Sequence, residues 1–165
     1  MARMSTAEHA ALGWRMNEIA ADFELLDAWA LPATGNHGDF PDLVSAWSRV
    51  TNPELPSKSR STRILLGTRE RLGKWVGWDD NLNELPIPGC TEISLRDRLP
   101  DDLKPPDHSP GVGLFLPVFS TDREWVGELS NGTVHAAAQL AWIPRDDGSF
   151  EGRLAVYAKA RGRHG

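Results

Sequence analysis

The chain has a single cysteine, Cys90, a single tyrosine, Tyr157, and no apolar run of bilayer length. One cysteine excludes an intrachain disulfide framework and fits a reducing compartment. A membrane-crossing helix would need roughly 18–20 consecutive apolar residues. The first residues also lack the charged, apolar and small-residue order of a signal peptide, so a cytoplasmic location is expected. Positive charge is short as well: 18 Lys and Arg stand against 23 Asp and Glu, with net charge −5 and a pI near 5.5. General nucleic-acid affinity depends on many cations neutralising phosphates, so no nucleic-acid partner is expected.

Familiar catalytic signatures are equally scarce. The chain has no GxSxG elbow and no GKS phosphate loop. Gly111-Val112-Gly113 lacks the third glycine of a dinucleotide loop and precedes a strand instead of following one. Asp79, Asn81 and Asn83 alternate like the start of a calcium loop. That loop requires glycine where Glu84 stands and a carboxylate where Cys90 stands. The five histidines are dispersed, and neither His108 nor His135 has a zinc-type companion, so neither metal nor cofactor is expected.

What is present is a pattern of strands and short helices in a chain of 165 residues, enough for one domain. Trp125 to Leu129, Thr133 to Ile143 and Phe150 to Lys159 read as three successive strands. Asn131-Gly132 makes the first reversal and Asp146-Asp147-Gly148 the second. In the middle strand Val134, Ala136, Ala138, Leu140 and Trp142 share one face, and Thr133, His135 and Gln139 share the other. That period of two predicts a half-buried antiparallel strand. Gly113 to Phe119 starts the sheet, with Pro117 favouring an edge or a bulge.

Upstream, Trp14 to Leu31 reads as an extended entry strand, with a helix as the competing reading; Pro32 terminates either, and a turn follows from Gly35 to Gly38. Asp39 is the expected cap of a short helix ending near Val50, with Phe40, Leu43, Val44 and Trp47 as its buried stripe. A second helix is expected over Arg63 to Trp78, and a long loop over 79–113 with a short extended piece at Thr91 to Leu95. Ser5 and Glu8 have capping-box spacing in an otherwise loose N-terminal arm.

Two groups of residues are candidates for function. Arg60, Arg63, Arg71 and Lys74 fall near one side of the second helix, either as a stripe facing an anion or acidic partner or as a solvated face. His135 and Gln139 share a strand face and could offer a proton carrier and an amide to a ligand, or simply be exposed. Trp125, Trp142 and Tyr157 supply aromatic bulk for a pocket wall or for core packing.

The stretches WRMNEIAADFELLDAWALP, DFPDLVSAWS, LRDRLPDDL and DREWVGELSNGTVHAAAQLAWIP, leading to GRLAVYAKARGRHG, resemble the bacterial family called domain of unknown function 2867. The resemblance runs from about Trp14 to Gly165 and carries no established catalytic motif. It implies an α+β helix-grip fold of the START/Bet v 1-like (SRPBCC-like) kind: a curved antiparallel sheet around an apolar cavity, closed by a long C-terminal helix. Family members continue past the position of Ala160 to Gly165 into an amphipathic helix. The expectation is therefore a flexible or weakly helical arm over 1–13 and a single helix-grip-like domain over 14–165, C-terminally truncated relative to the family.

On that fold the leading expectation is binding of an apolar or aromatic small molecule, as a carrier or a cyclase-like protein, with catalysis left open. Leu140 and Trp142 would line the wall, and His135, Gln139 and Tyr157 would orient the ligand by hydrogen bonds. His135 and Gln139 oppose Trp142 in parity, so a bulge or curved rim has to reconcile them. The competing expectation is a non-enzymatic interaction module that uses the basic stripe or an uncovered sheet. An open sheet face would also favour a homodimer.

Overall fold

Alternating side chains on four long strands, each flanked by turn residues, dictate a single antiparallel sheet. The structure, a computed structural model, describes residues 2–51, 94–103, 115–130 and 134–161. Its strands are β1 (Ala2–Arg3), β2 (Glu24–Gly35), β3 (Leu116–Ser120), β4 (Glu124–Ser130), β5 (Val134–Pro144) and β6 (Phe150–Ala160). They form one six-stranded sheet in the order β1-β2-β6-β5-β4-β3, with every pair antiparallel. The helices are short: α1 (Thr6–Ala10), α2 (Met16–Ile19) and α3 (Phe40–Thr51), with 3-10 turns at His37–Asp39 and Leu95–Arg98. The α+β class is as expected. The sheet, however, is not strongly curled, and among the described residues no long helix lies along it.

The three C-terminal strands form where the alternation places them. Gly148 takes the left-handed φ of +80° that closes the β5–β6 turn, and Asp147 accepts hydrogen bonds from the Ser149 backbone and hydroxyl. A two-residue Asn131-Gly132 loop would set Ser130 opposite Thr133, but the pairing sets Ser130 opposite His135. The slip is by two, so every side chain keeps its face. The loop residues themselves lie outside the described residues. Pro117 sits on the edge strand β3 beside a register shift, as its chemistry demands.

The N-terminal third departs from expectation. Residues Met16–Ile19 form a helical turn, and extended structure begins only at Glu24. Pro32 does not end β2: the strand runs to Gly35, with a register irregularity between Ala30 and Thr34 that absorbs the missing N–H. A second irregularity between Leu25 and Asp27 breaks the simple alternation there. Ala28 thus joins the core on one face while Trp29 and Leu31 join the core on the other. Asn36, and not Asp39, caps the turn into α3; Asp39 completes the box by accepting from the Asn36 N–H at 2.7 Å. The arm over 1–13 contributes β1, which pairs with β2, and α1, whose Ser5 cap accepts from Glu8 N–H.

Both faces of β4 and β5 are buried, which corrects the half-buried reading of β5. All of β4 and all of β5 from His135 to Ile143 are inaccessible. On one face α3 lays Phe40, Leu43 and Trp47 against Trp29, Leu140, Trp142 and Leu154. The other face carries Trp14, Met16 and Ile19 from the N-terminal segment and Leu95 from the second 3-10 turn. Among the described residues the large apolar side chains left exposed are Leu12 and Leu116. The open apolar face expected to drive a homodimer is therefore not found there. The Arg63–Trp78 helix falls outside the described residues, as do most of the 79–113 loop and the Gly111–Gly113 turn. Leu95 opens the 3-10 turn and does not extend a strand.

Candidate functional site

Strand parity separates the expected site residues into two groups. β5 pairs with β4 and β6 in continuous register, so no bulge brings its two faces together. Leu140 and Trp142 lie on the α3 side. Trp142 is filled in by Phe40 and Phe150, and its Nε1 donates to the Asn36 carbonyl at 2.9 Å. There it is packed core, not an open wall. His135, Gln139 and Tyr157 come together on the opposite face. Arg60, Arg63, Arg71 and Lys74 lie outside the described residues.

The His135 face holds a buried polar row. Even-numbered residues of β4 share this face with odd-numbered residues of β5, so Glu124 and Glu128 stand beside Gln139 and His135. Each glutamate holds the start of a short helical segment. Glu124 Oε1 accepts from Met16 N–H at 3.0 Å and Oε2 from Arg15 N–H at 3.0 Å, where α2 begins. Glu128 accepts from the Ser94 hydroxyl and, at 2.9 Å, from Leu95 N–H, where the 3-10 turn Leu95–Arg98 begins. Orphan donors at helix starts favour an anionic acceptor. Each segment has an acidic residue in its own first turn, Glu18 and Asp97, yet its first N–H groups are met by a glutamate of the sheet.

A side-chain amide or imidazole completes each unit. Gln139 Nε2 donates to Glu124 Oε1 at 2.7 Å, and His135 Nε2 lies 2.9 Å from Glu128 Oε2. Gln139 Oε1 in turn meets His9 Nε2 at 2.8 Å and accepts from the Tyr157 hydroxyl at 3.2 Å. Aromatic rings seal the row. Trp14 stacks on His9 with centroids 5.5 Å apart, and Phe23 meets His135 edge-on at 4.9 Å. At the rim Asp22 binds Arg98 at 2.6 Å and Lys159 at 2.8 Å, tying the 3-10 turn to β6.

Burial and pairing set the protonation states. Burial pushes the Glu124 carboxyl above its ordinary value, more than the Met16, Gln139 and Arg15 hydrogen bonds pull it down. For Glu128 burial acts the same way, yet bonds from His135, Ser94 and Leu95 together hold the carboxyl below its ordinary value. Burial lowers His9 and so favours neutral imidazole. Burial and the nearby Glu124 charge raise Tyr157, keeping its hydroxyl protonated. Desolvation opposes the Asp22 charge, but Lys159 and Arg98 overcome it and bring that carboxyl to about 2.

Among the described residues, buried polar atoms on this face that have no hydrogen-bond partner include His9 Nδ1 and Ser130 Oγ. The sequence reading missed His9, Glu124, Glu128 and Ser130. A signal was present, because Glu124, Glu128 and Ser130 repeat on alternate positions of an otherwise apolar strand beside His135 and Gln139. Among the described residues no group of three or more His, Cys, Asp or Glu side chains is arranged to hold a metal. The β5–β6 turn carries a separate open cleft of about 370 Å³, bordered by Arg145, Asp146, Asp147, Glu151 and Arg153. It is polar, and its Arg153 shares the sheet face of the buried row and helps to lower His9 through its charge. No described helix is long and apolar enough to cross a membrane.

Comparison with curated proteins and with solved structures finds no match. A family model does match, over residues 19–165, covering β2 to β6 and with them Glu124, Glu128, His135, Gln139 and Tyr157. The chain therefore belongs to the family described as protein of unknown function (DUF2867).

Proposed function

We propose that this chain is a small-molecule-binding domain of helix-grip kind, acting as a carrier or cyclase-like protein. Its ligand site lies on the sheet face of His135, Gln139 and Tyr157. The ligand is a mainly apolar or aromatic molecule with at least one polar group. The observation that carries the proposal is the pair of unpartnered atoms, His9 Nδ1 and Ser130 Oγ, in fully buried side chains on that face. Leaving a buried polar atom unsatisfied costs about 1–3 kcal/mol, and such atoms in a native fold call for an explanation. A bound polar group supplies one, and the flanking Trp14 and Phe23 rings suit an apolar body. Leu140 and Trp142 drop out of this site because they pack on the opposite face.

The protonation states favour holding over proton transfer. Neutral His9 and protonated Tyr157 orient a ligand, and both titrate away from neutrality. A competing interaction module keeps only the 60–74 stripe, because both faces of β4 and β5 are buried among the described residues. Screening a broad panel of apolar and aromatic metabolites by intrinsic tryptophan fluorescence tests the proposal. Trp14→Phe identifies the part of the signal that reports from this face. Saturable binding that weakens in Tyr157→Phe is the expected result, and no saturable binding across the panel overturns it.

A further inference from the structure

The hydrogen-bond chain from Glu124 to His9 has a direction, and that direction fixes what a ligand must offer. Glu124 serves as an acceptor at both oxygens, one for Met16 N–H and one for Arg15 N–H. The Met16 acceptor, Oε1, also receives the Gln139 amide. Gln139 must therefore turn Nε2 toward Glu124 and Oε1 away from it, because the reverse orientation sets oxygen against oxygen. Gln139 Oε1, an acceptor, then faces His9 Nε2 at 2.8 Å, so this nitrogen carries the hydrogen. The Tyr157 hydroxyl donates to the same oxygen from β6. A neutral imidazole protonated at Nε2 has a bare lone pair at Nδ1. That nitrogen is the unpartnered one, in a side chain with no exposed surface.

We infer that His9 is the ligand-reading residue of the site, an obligate hydrogen-bond acceptor that selects molecules bearing a neutral O–H or N–H donor. The inference rests on the binding reading proposed above and adds the polarity of the ligand. The Trp14 ring stacked on His9 places an aromatic surface next to that nitrogen, which makes a phenol or aromatic alcohol the fitting class. The Trp14 Nε1 is not available to satisfy His9 itself, because it donates to the His9 carbonyl at 2.9 Å. Groups that only accept, such as ethers, ketones and carboxylates, would meet lone pair with lone pair.

Phenol and anisole test this as a matched pair, differing in the donor and in one methyl group. Nitrogen-detected NMR of the full chain at neutral pH should first find His9 as the Nε2–H tautomer. Titration with phenol should then shift the His9 Nδ1 resonance saturably. Phenol should bind about tenfold more tightly than anisole, the worth of one net hydrogen bond. Gln139→Leu should free the tautomer and shrink that preference. Finding the Nδ1–H tautomer in the wild type overturns the inference, as does a His9 resonance that does not respond to phenol because water alone occupies the site. Equal binding of phenol and anisole with an unmoved His9 also overturns it while leaving a binding domain standing. Absence of any saturable ligand in the wider panel removes both.

Discussion

At the level of single residues the buried row trades stability for arrangement, and pH exposes the trade. The folded chain disfavours the His9 proton, whose ordinary value is 6.5. Its contribution is therefore complete above 6.5 and is lost as pH falls below that value, where the unfolded chain takes up the proton first. Glu128, held below its ordinary 4.5, adds a second loss as pH falls through 4.5. Glu124 runs the other way: its raised carboxyl protonates first in the folded chain, which offsets part of the acid loss. Urea unfolding followed across pH should show stability declining from 6.5 downward, with the first part of the decline missing in His9→Phe. Glu128→Ala should cost more than any surface change, about 3–5 kcal/mol, because it strands a buried imidazole and the donors at Ser94 and Leu95. His135, Gln139 and Tyr157 were legible in the sequence as polar groups near an apolar strand. Glu124 and Glu128 left a signal in their alternate spacing, but His9 did not, since it lies 130 positions from Gln139 and only the fold brings them together.

Among the elements, legibility follows how local the determining interactions are. β4, β5 and β6 announce themselves by alternation and turn residues. α3 does so by Phe40, Leu43 and Trp47 at helical spacing, all buried as the pattern requires. β2 was legible only in part, because its two register irregularities disrupt the alternation and Pro32 mimics a stop. α2 was legible only as a helix competing with the strand reading, because four residues carry little periodicity and its starting N–H groups are satisfied by Glu124 from a distant strand. Gly127 shows the same limit in reverse: it reads as a weak point in a strand, yet the fold needs it. A β-carbon there would sit 2.4 Å from the end of the Trp125 ring and 3.0 Å from Phe115 Cβ. Gly127→Ala should destabilise the sheet by about 1–3 kcal/mol through overpacking, and chemical denaturation should register it without loss of cooperativity. Trp47→Ala should cost about 3–5 kcal/mol by opening a hole under α3, while leaving the buried row on the far face chemically unchanged by NMR.

At the scale of the whole sheet, β4 and β5 are buried on both faces among the described residues, which turns the question of association to the edges. One edge is β1, only two residues long. The other is β3, where unpaired backbone groups would invite a second chain. Pro117 removes a donor from that edge, and its carbonyl accepts from Arg96 Nε at 2.6 Å. Both backbone groups of one residue in an antiparallel strand point the same way. Arg96 thus marks the outer side, and the missing N–H of Pro117 is on that side too. The register shift between Pro117 and Phe119 further spoils the edge as a template. The combination is a local defence against edge-to-edge pairing at β3, a five-residue edge strand whose central side chains are buried. Sedimentation over a concentration series should find no self-association through this edge in the wild type. Pro117→Val with Arg96→Ala restores the donor and uncovers the acceptor, and should shift the series toward dimer. An unchanged distribution would show that β3 was never the vulnerable edge.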